Sequence, residues 1–206
     1  MKKTRNIENK GFSLIELMIA MTITLALMGV ATTLFSGALG IRTRESRRAD
    51  ALSSARAALS SLSREISNSG YGLTSNGIVT ADSNNKKIHF RANLSNDDYT
   101  TDSIGEDVTY FFDDETKSIV RYDPNNEQTT SVIVNRISDV TFTYYDYVGG
   151  SSAASAPLNA PTGNTGRVTI TVMVELEDVA GQPKDQTVTF TSDVTLRNSS
   201  YMLNQY

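Results

Sequence analysis

The hydrophobic pattern divides the chain into three stretches. From Leu17 to Ile41 there are 25 consecutive residues without a charge, most of them apolar. About 20 apolar residues suffice for a helix to span bilayer hydrocarbon, and a run of this length reaches about 37 Å as a helix. Past Ile41 the pattern turns periodic. Leu52, Ala55, Leu59, Leu62 and Ile66 recur three and four residues apart, which predicts an amphipathic helix over 42–68. Asn68-Ser69-Gly70 reads as its C-terminal cap. Beyond it the period becomes two. Runs rich in β-branched and aromatic residues predict strands at 87–92, 107–112, 118–122, 131–135, 139–148, 167–177 and 187–196. Asp82-Ser83-Asn84-Asn85, Asp113-Asp114-Glu115 and Asp123-Pro124-Asn125-Asn126 punctuate them as turns. Val168, Ile170, Val172, Val174 and Leu176 alternate with Thr169, Thr171, Met173 and Glu175, the mark of a half-buried antiparallel strand. Val188, Phe190, Ser192, Val194 and Leu196 form a matching stripe, with 179–186 as the hairpin loop. Gly149 to Gly166 is uncharged and made of small residues, Pro and Asn, and predicts a flexible exposed loop. The expected class is α+β. A long N-terminal α-helix with a membrane-spanning first half (12–41) and an amphipathic continuation (42–68) leads into an antiparallel β domain (69–206).

Charge sharpens the first stretch. Residues 1–11 carry Lys2, Lys3, Arg5 and Lys10 against Glu8, a local +3. This flank precedes the apolar run, so the N-terminus is expected in the cytoplasm and the rest outside. A secretory signal peptide would have a shorter core and a small-residue cleavage site after it; no Ala-x-Ala follows the run. A plain single-pass anchor remains an alternative. Glu16, at the run's edge, is either a snorkelling side chain or a functional acid. Residues 42–66 hold six Arg against three acids, and residues 67–206 hold nine basic against 18 acidic residues. That contrast suits stacking of acidic heads on basic stalks. Arg42, Arg44, Arg47 and Arg48 either meet lipid headgroups or acidic neighbours, or form a solvated face.

Candidate chemistry is sparse. The absence of Cys excludes disulfides, Cys-based zinc sites and thiol nucleophiles, and a single His excludes multi-His metal sites. His89, between Ile88 and Phe90, reads as a strand surface residue. No phosphate-binding glycine motif occurs, and no Ser has an activating base by motif. Asp97-Asp98, Asp102, Asp113-Asp114-Glu115 and Asp123 are oxygen ligands of the kind calcium uses, but no D-x-[DN]-x-[DN]-G run is present and turns use the same residues. No enzyme activity, metal or cofactor is expected, and a net charge of -4 argues against nucleic acid as a partner.

GFSLIELMIAMTITLALMGV, Gly11 to Val30, resembles the processing segment of type IV pilins and type II secretion pseudopilins. The resemblance implies cleavage between Gly11 and Phe12 by a prepilin peptidase, N-methylation of the new Phe12 amine, and pairing of Glu16 with that amine on a neighbouring subunit. Many major pilins carry a Pro midway along this helix. This chain has none before Pro124 and has Gly29, Gly37 and Gly40 instead, sites for local unwinding or close helix packing. SREISNSGYGL, Ser63 to Leu73, is similar to the helix end and turn of PilW-type minor pilins and J-type minor pseudopilins, with Tyr71 expected to dock on the sheet. The function implied is a structural or priming subunit of pilus assembly. The alternatives are a J-type subunit of a secretion tip complex and a membrane-anchored adhesin. Implied partners are the peptidase, other minor pilins and the major pilin, inner-membrane lipid, and an assembly platform. The implied location is the inner membrane with a periplasmic C-terminal domain, then the filament. Pilin heads are commonly clipped by a disulfide; this one must hold by packing.

Overall fold

A computed structural model describes residues 11–96, 100–148, 152–176, 178 and 185–204. The leader up to Lys10, Asp97-Asp98, the first residues of the 149–166 loop and most of the 179–186 turn lie outside them. Helix α1 runs Leu14–Ser67. The chain divides into two compact units, Met1–Ser46 and Arg47–Tyr206. In the first, every described residue is exposed, and Gly29, Gly37 and Gly40 do not interrupt the helix.

The second unit has a conventional core. Ala55, Ala58, Leu59, Leu62 and Ile66 of α1 are buried and Leu52 is half-buried, so the periodic stripe is the packing face. It meets two antiparallel sheets. One has the order β1 (Lys87–Arg91), β2 (Asp107–Asp113), β3 (Ser118–Tyr122), β4 (Thr130–Asn135); the other has β5 (Ile137–Asp146), β6 (Thr165–Glu175), β7 (Thr187–Thr195). Arg136, at positive φ, turns the chain from the first sheet into the second. Ile88, Phe90, Val108, Tyr110 and Ile119 face the helix from one sheet, and Val140, Phe142, Tyr144, Val168, Ile170, Val172 and Val174 from the other. A short helix α2 (Ser200–Leu203) is capped by the Ser199 hydroxyl, and Tyr201 stacks on Tyr147 at 4.1 Å.

All seven expected strands form, with shifted ends. Strand β5 starts two residues early because Ile137 pairs with Val174 across a bulge, and β6 starts at Thr165 opposite Asp146. The β7 stripe is buried only at Val194 and Leu196, because β7 is an edge strand; Val188, Phe190 and Ser192 are half-buried. There α1 covers it with polar groups. The Arg56 guanidinium lies 5.2 Å from the Phe190 ring centre, and the Ser63 and Ser192 hydroxyls share a hydrogen bond of 3.0 Å.

Two expectations need correction. The described part of the 149–166 loop is tied down rather than free. Leu158 exchanges backbone hydrogen bonds with Tyr144, the Thr162 and Thr165 hydroxyls donate to Asp146, and Thr165 and Gly166 belong to β6. Asn76 holds the same segment, donating from Nδ2 to the carbonyls of Thr162 and Thr165, both at 3.0 Å. Tyr71 does not dock on the sheet: it is 47% exposed. Its backbone does the work instead, accepting from Asn93 N at 2.7 Å while Gly70 N donates to Arg91 O. That turn closes on Gly77, at φ +76°, where a Cβ would lie 2.1 Å from Gly70 N. Only glycine fits so close an approach.

Candidate functional site

The first unit presents the N-terminal segment. Gly11 has open space around it, and Phe12 is 85% exposed. Helix α1 begins just after: the Ser13 carbonyl accepts the first helical bond from Leu17 N at 3.1 Å, which makes Ser13 the N-cap. Glu16 reaches back, and its Oε2 accepts Ser13 N–H at 3.3 Å. This is the acidic half of a capping box, S-x-x-E over residues 13–16. The motif is legible in the sequence as S-x-x-E, and it adds a local role to those of membrane acid and amine partner given to Glu16 above. The geometry brings Gly11, Phe12 and Glu16 to one helix end. Cleavage after Gly11 would place a new amine one residue from the N–H that Glu16 already holds.

The rest of the apolar segment is self-sufficient in its threonines. The hydroxyls of Thr22, Thr24, Thr32 and Thr33 donate to carbonyls three or four residues back. These side chains need no partner from lipid or from another helix. Glu16 is the one ionisable side chain from Leu14 to Ile41. A carboxylate carried alone into hydrocarbon costs several kcal/mol, and an opposite charge beside it offsets much of that. Leu17, Met18, Leu25, Leu27, Leu34 and Phe35 stand exposed. Each is worth about 1.5–3 kcal/mol when removed from water. By length and composition the helix is able to cross a membrane, with a mean hydropathy of 2.2 over its most apolar stretch.

The β domain holds two charged clusters. His89 lies on β1 with its side chain 13% exposed, held between two carboxylates. Nδ1 is 3.0 Å from Asp82 Oδ2, and Nε2 is 2.5 Å from Asp107 Oδ1. Lys87, at 2.5 Å, holds the Asp82 carboxyl below its usual range, helped by His89. Both ring nitrogens face carboxylates, so the cluster links the 3-10 turn Thr80–Asp82 to β2. In the second cluster Arg121 joins α1 to β3. Its Nε donates to Glu65 Oε2 and its Nη1 to Asp123 Oδ2, both at 3.1 Å. Asp123 is 0% exposed and also accepts Gly105 N and Asn125 N. Burial pushes the Tyr110 hydroxyl up, and the Glu65 charge pushes it the same way. Glu106 is fully buried. Burial raises its carboxyl, but the backbone N–H groups of Ser95 and Ser103 outweigh this and hold it below the usual carboxylate range. Asp123 and Glu106 are thus spent on backbone and Arg121. Among the described residues no three metal-ligating side chains gather.

Residues 8–32 match the family model described as the prokaryotic N-terminal methylation motif, the signal of type IV pilins and pseudopilins. The matched span contains Gly11, Phe12 and Glu16. No curated protein and no solved structure matches the chain. The chain therefore carries the pilin signal on an α+β architecture of the pilin kind.

Proposed function

We propose that this chain is a minor type IV pilin, a structural or priming subunit of filament assembly with no catalytic activity of its own. The observation that carries this is the methylation motif laid over an apolar helix half, Leu14 to Ile41, whose one acid, Glu16, sits at the helix start among exposed apolar side chains. A prepilin peptidase at the cytoplasmic face cuts between Gly11 and Phe12, and the Phe12 amine is methylated. The subunit waits in the inner membrane with its β domain in the periplasm. Assembly moves the helix from lipid to a core of other pilin helices, so its apolar surface stays out of water throughout. Glu16 then pairs with the Phe12 amine of a neighbour, which sets the register between subunits.

The minor class rests on Ser63 to Leu73, with Glu65 bound to Arg121 and Gly70 in the turn that follows. That phrase is shared with J-type pseudopilins of secretion tip complexes, and the genes beside this one separate the two readings. The reading predicts that Glu16→Ala leaves the processed chain in membranes at its normal level and removes it from sheared filaments. Normal incorporation of Glu16→Ala would overturn the role given to Glu16. Arg44→Glu is expected to reduce incorporation if acidic heads stack on basic stalks; unchanged incorporation at physiological salt sinks that part alone.

A further inference from the structure

The outer face of the four-stranded sheet carries a groove. Strand register places His89, Thr109 and Tyr122 in one row across β1, β2 and β3. Lys87, Phe111 and Val120 form the next row on the same face. Their neighbours along each strand, Ile88, Tyr110 and Ile119 among them, face the core. Apart from Val120, these rows line an open groove of about 510 Å³ together with Asp82, Asn84, Lys86 and Pro124, within the range of small-molecule sites.

We infer that this groove binds an uncharged, hydroxyl-rich ligand, a neutral saccharide. Three observations select that class. First, the floor is aromatic: Phe111 is half-buried and Tyr122 is 41% exposed, so both offer ring surface to a flat apolar face. Second, the fixed charges are already matched. Lys87 pairs with Asp82, Lys86 with Asp139 and Arg91 with Asp107, while His89 stands between Asp82 and Asp107. An anion or a cation entering the groove meets charges that already have counter-charges and competes with these pairs, whereas a neutral ligand leaves them as they are. Third, neutral hydrogen-bonding groups are left over. The hydroxyls of Thr109 and Tyr122 and the Asn84 Nδ2 have no partner among the described residues, although Asn84 Oδ1 accepts Lys86 N. The oxygens of Asp82 and Asp107 retain lone pairs beyond the bonds they accept. A sugar ring has both faces this surface needs: C–H groups for the rings, and hydroxyls for the amide, hydroxyl and carboxylate groups around them. The inference concerns the β domain alone and stands whether or not the assembly reading does.

The test uses the full chain in a detergent without a sugar headgroup, with saturation-transfer difference NMR and calorimetry. The probes are maltose, cellobiose and diacetylchitobiose, with digalacturonic acid as the charged arm. At least one neutral probe should bind with Kd of about 1 mM or tighter. Tyr122→Ala should weaken it at least about tenfold, and Tyr122→Phe, which keeps the ring, about threefold. Asp193→Ala, on β7, should leave it unchanged. If Tyr122→Ala lowers the melting midpoint, Asn84→Ala serves in its place, with an expected loss of about fivefold. The inference is overturned if no neutral probe gives saturation transfer at about 20 mM, some twentyfold above the expected Kd. It is equally overturned if binding survives Tyr122→Ala in a folded protein, or if the acidic disaccharide binds more tightly than the neutral ones.

Discussion

Helix α1 contains its own comparison. Leu25, Leu27 and Leu34 in its first half and Leu59 and Leu62 in its second are the same residue in the same backbone state. The first three are exposed and the last two are buried against the sheets. What differs is the pattern around them. In the first half apolar residues fall on every face, a pattern that suits cover on all sides, as in lipid or among other helices. In the second half they fall on one stripe with Arg56 and Arg64 outside it, which is the signature of packing on a domain. Hydrophobicity alone thus says little about where a side chain goes; its angular distribution decides.

The comparison breaks most directly under matched truncations. Leu62→Ala, at a fully buried site, is expected to cost the β domain about 2–5 kcal/mol. Denaturant melts of the full chain in detergent read this out, and a cost under about 1 kcal/mol would remove Leu62 from the core. Next in size is Arg121→Ala, which strands Asp123 and frees Glu65; about 3 kcal/mol is expected, since the Asp123 carboxylate keeps its two backbone donors. Gly77→Ala should cost about 2–3 kcal/mol by forcing Gly70 away. If the variant melts like the parent, the Gly70–Gly77 closure is not tight. Acid should act on the β domain. The carboxyls of Glu106 and Asp82 are held low in the folded state, so their contribution is present above the unfolded carboxylate range. It is lost as pH falls through their lowered values. Glu106→Gln should flatten the dependence of stability on pH below about pH 4.5; an unaltered profile would assign the acid sensitivity elsewhere. The smallest effect is expected from Leu25→Ala, within about 0.5 kcal/mol of the parent in β-domain melts.

Much of this was legible in the sequence, because period and turn chemistry are local. The α1 stripe, the seven strands and the Gly70 turn all follow from spacing and from residues such as Gly and Asn that favour turns. What was not legible depends on residues far apart. Nothing near His89 announces that Asp82 and Asp107 will flank it, since that needs the β1–β2 register and the 3-10 turn folded over β1. The loop after Gly149 looked free because small polar residues favour exposure, yet Asn76, some 90 positions earlier, supplies the donors that hold it. Tyr71 misled in the opposite sense: a large aromatic beside two glycines suggested docking, while the fold uses only its backbone. At the N-terminus the methylation motif was readable residue by residue. The capping role of Glu16 was readable too, from Ser13 three residues before it.

On the proposed reading, Gly11–Phe12 marks a processing site ahead of a retained apolar helix. Intact mass and N-terminal sequencing of the protein from its native membranes test this directly. The expected chain begins at N-methylated Phe12 and keeps residues 12–41. A chain that begins at Met1, or one cut after Ile41, would contradict it.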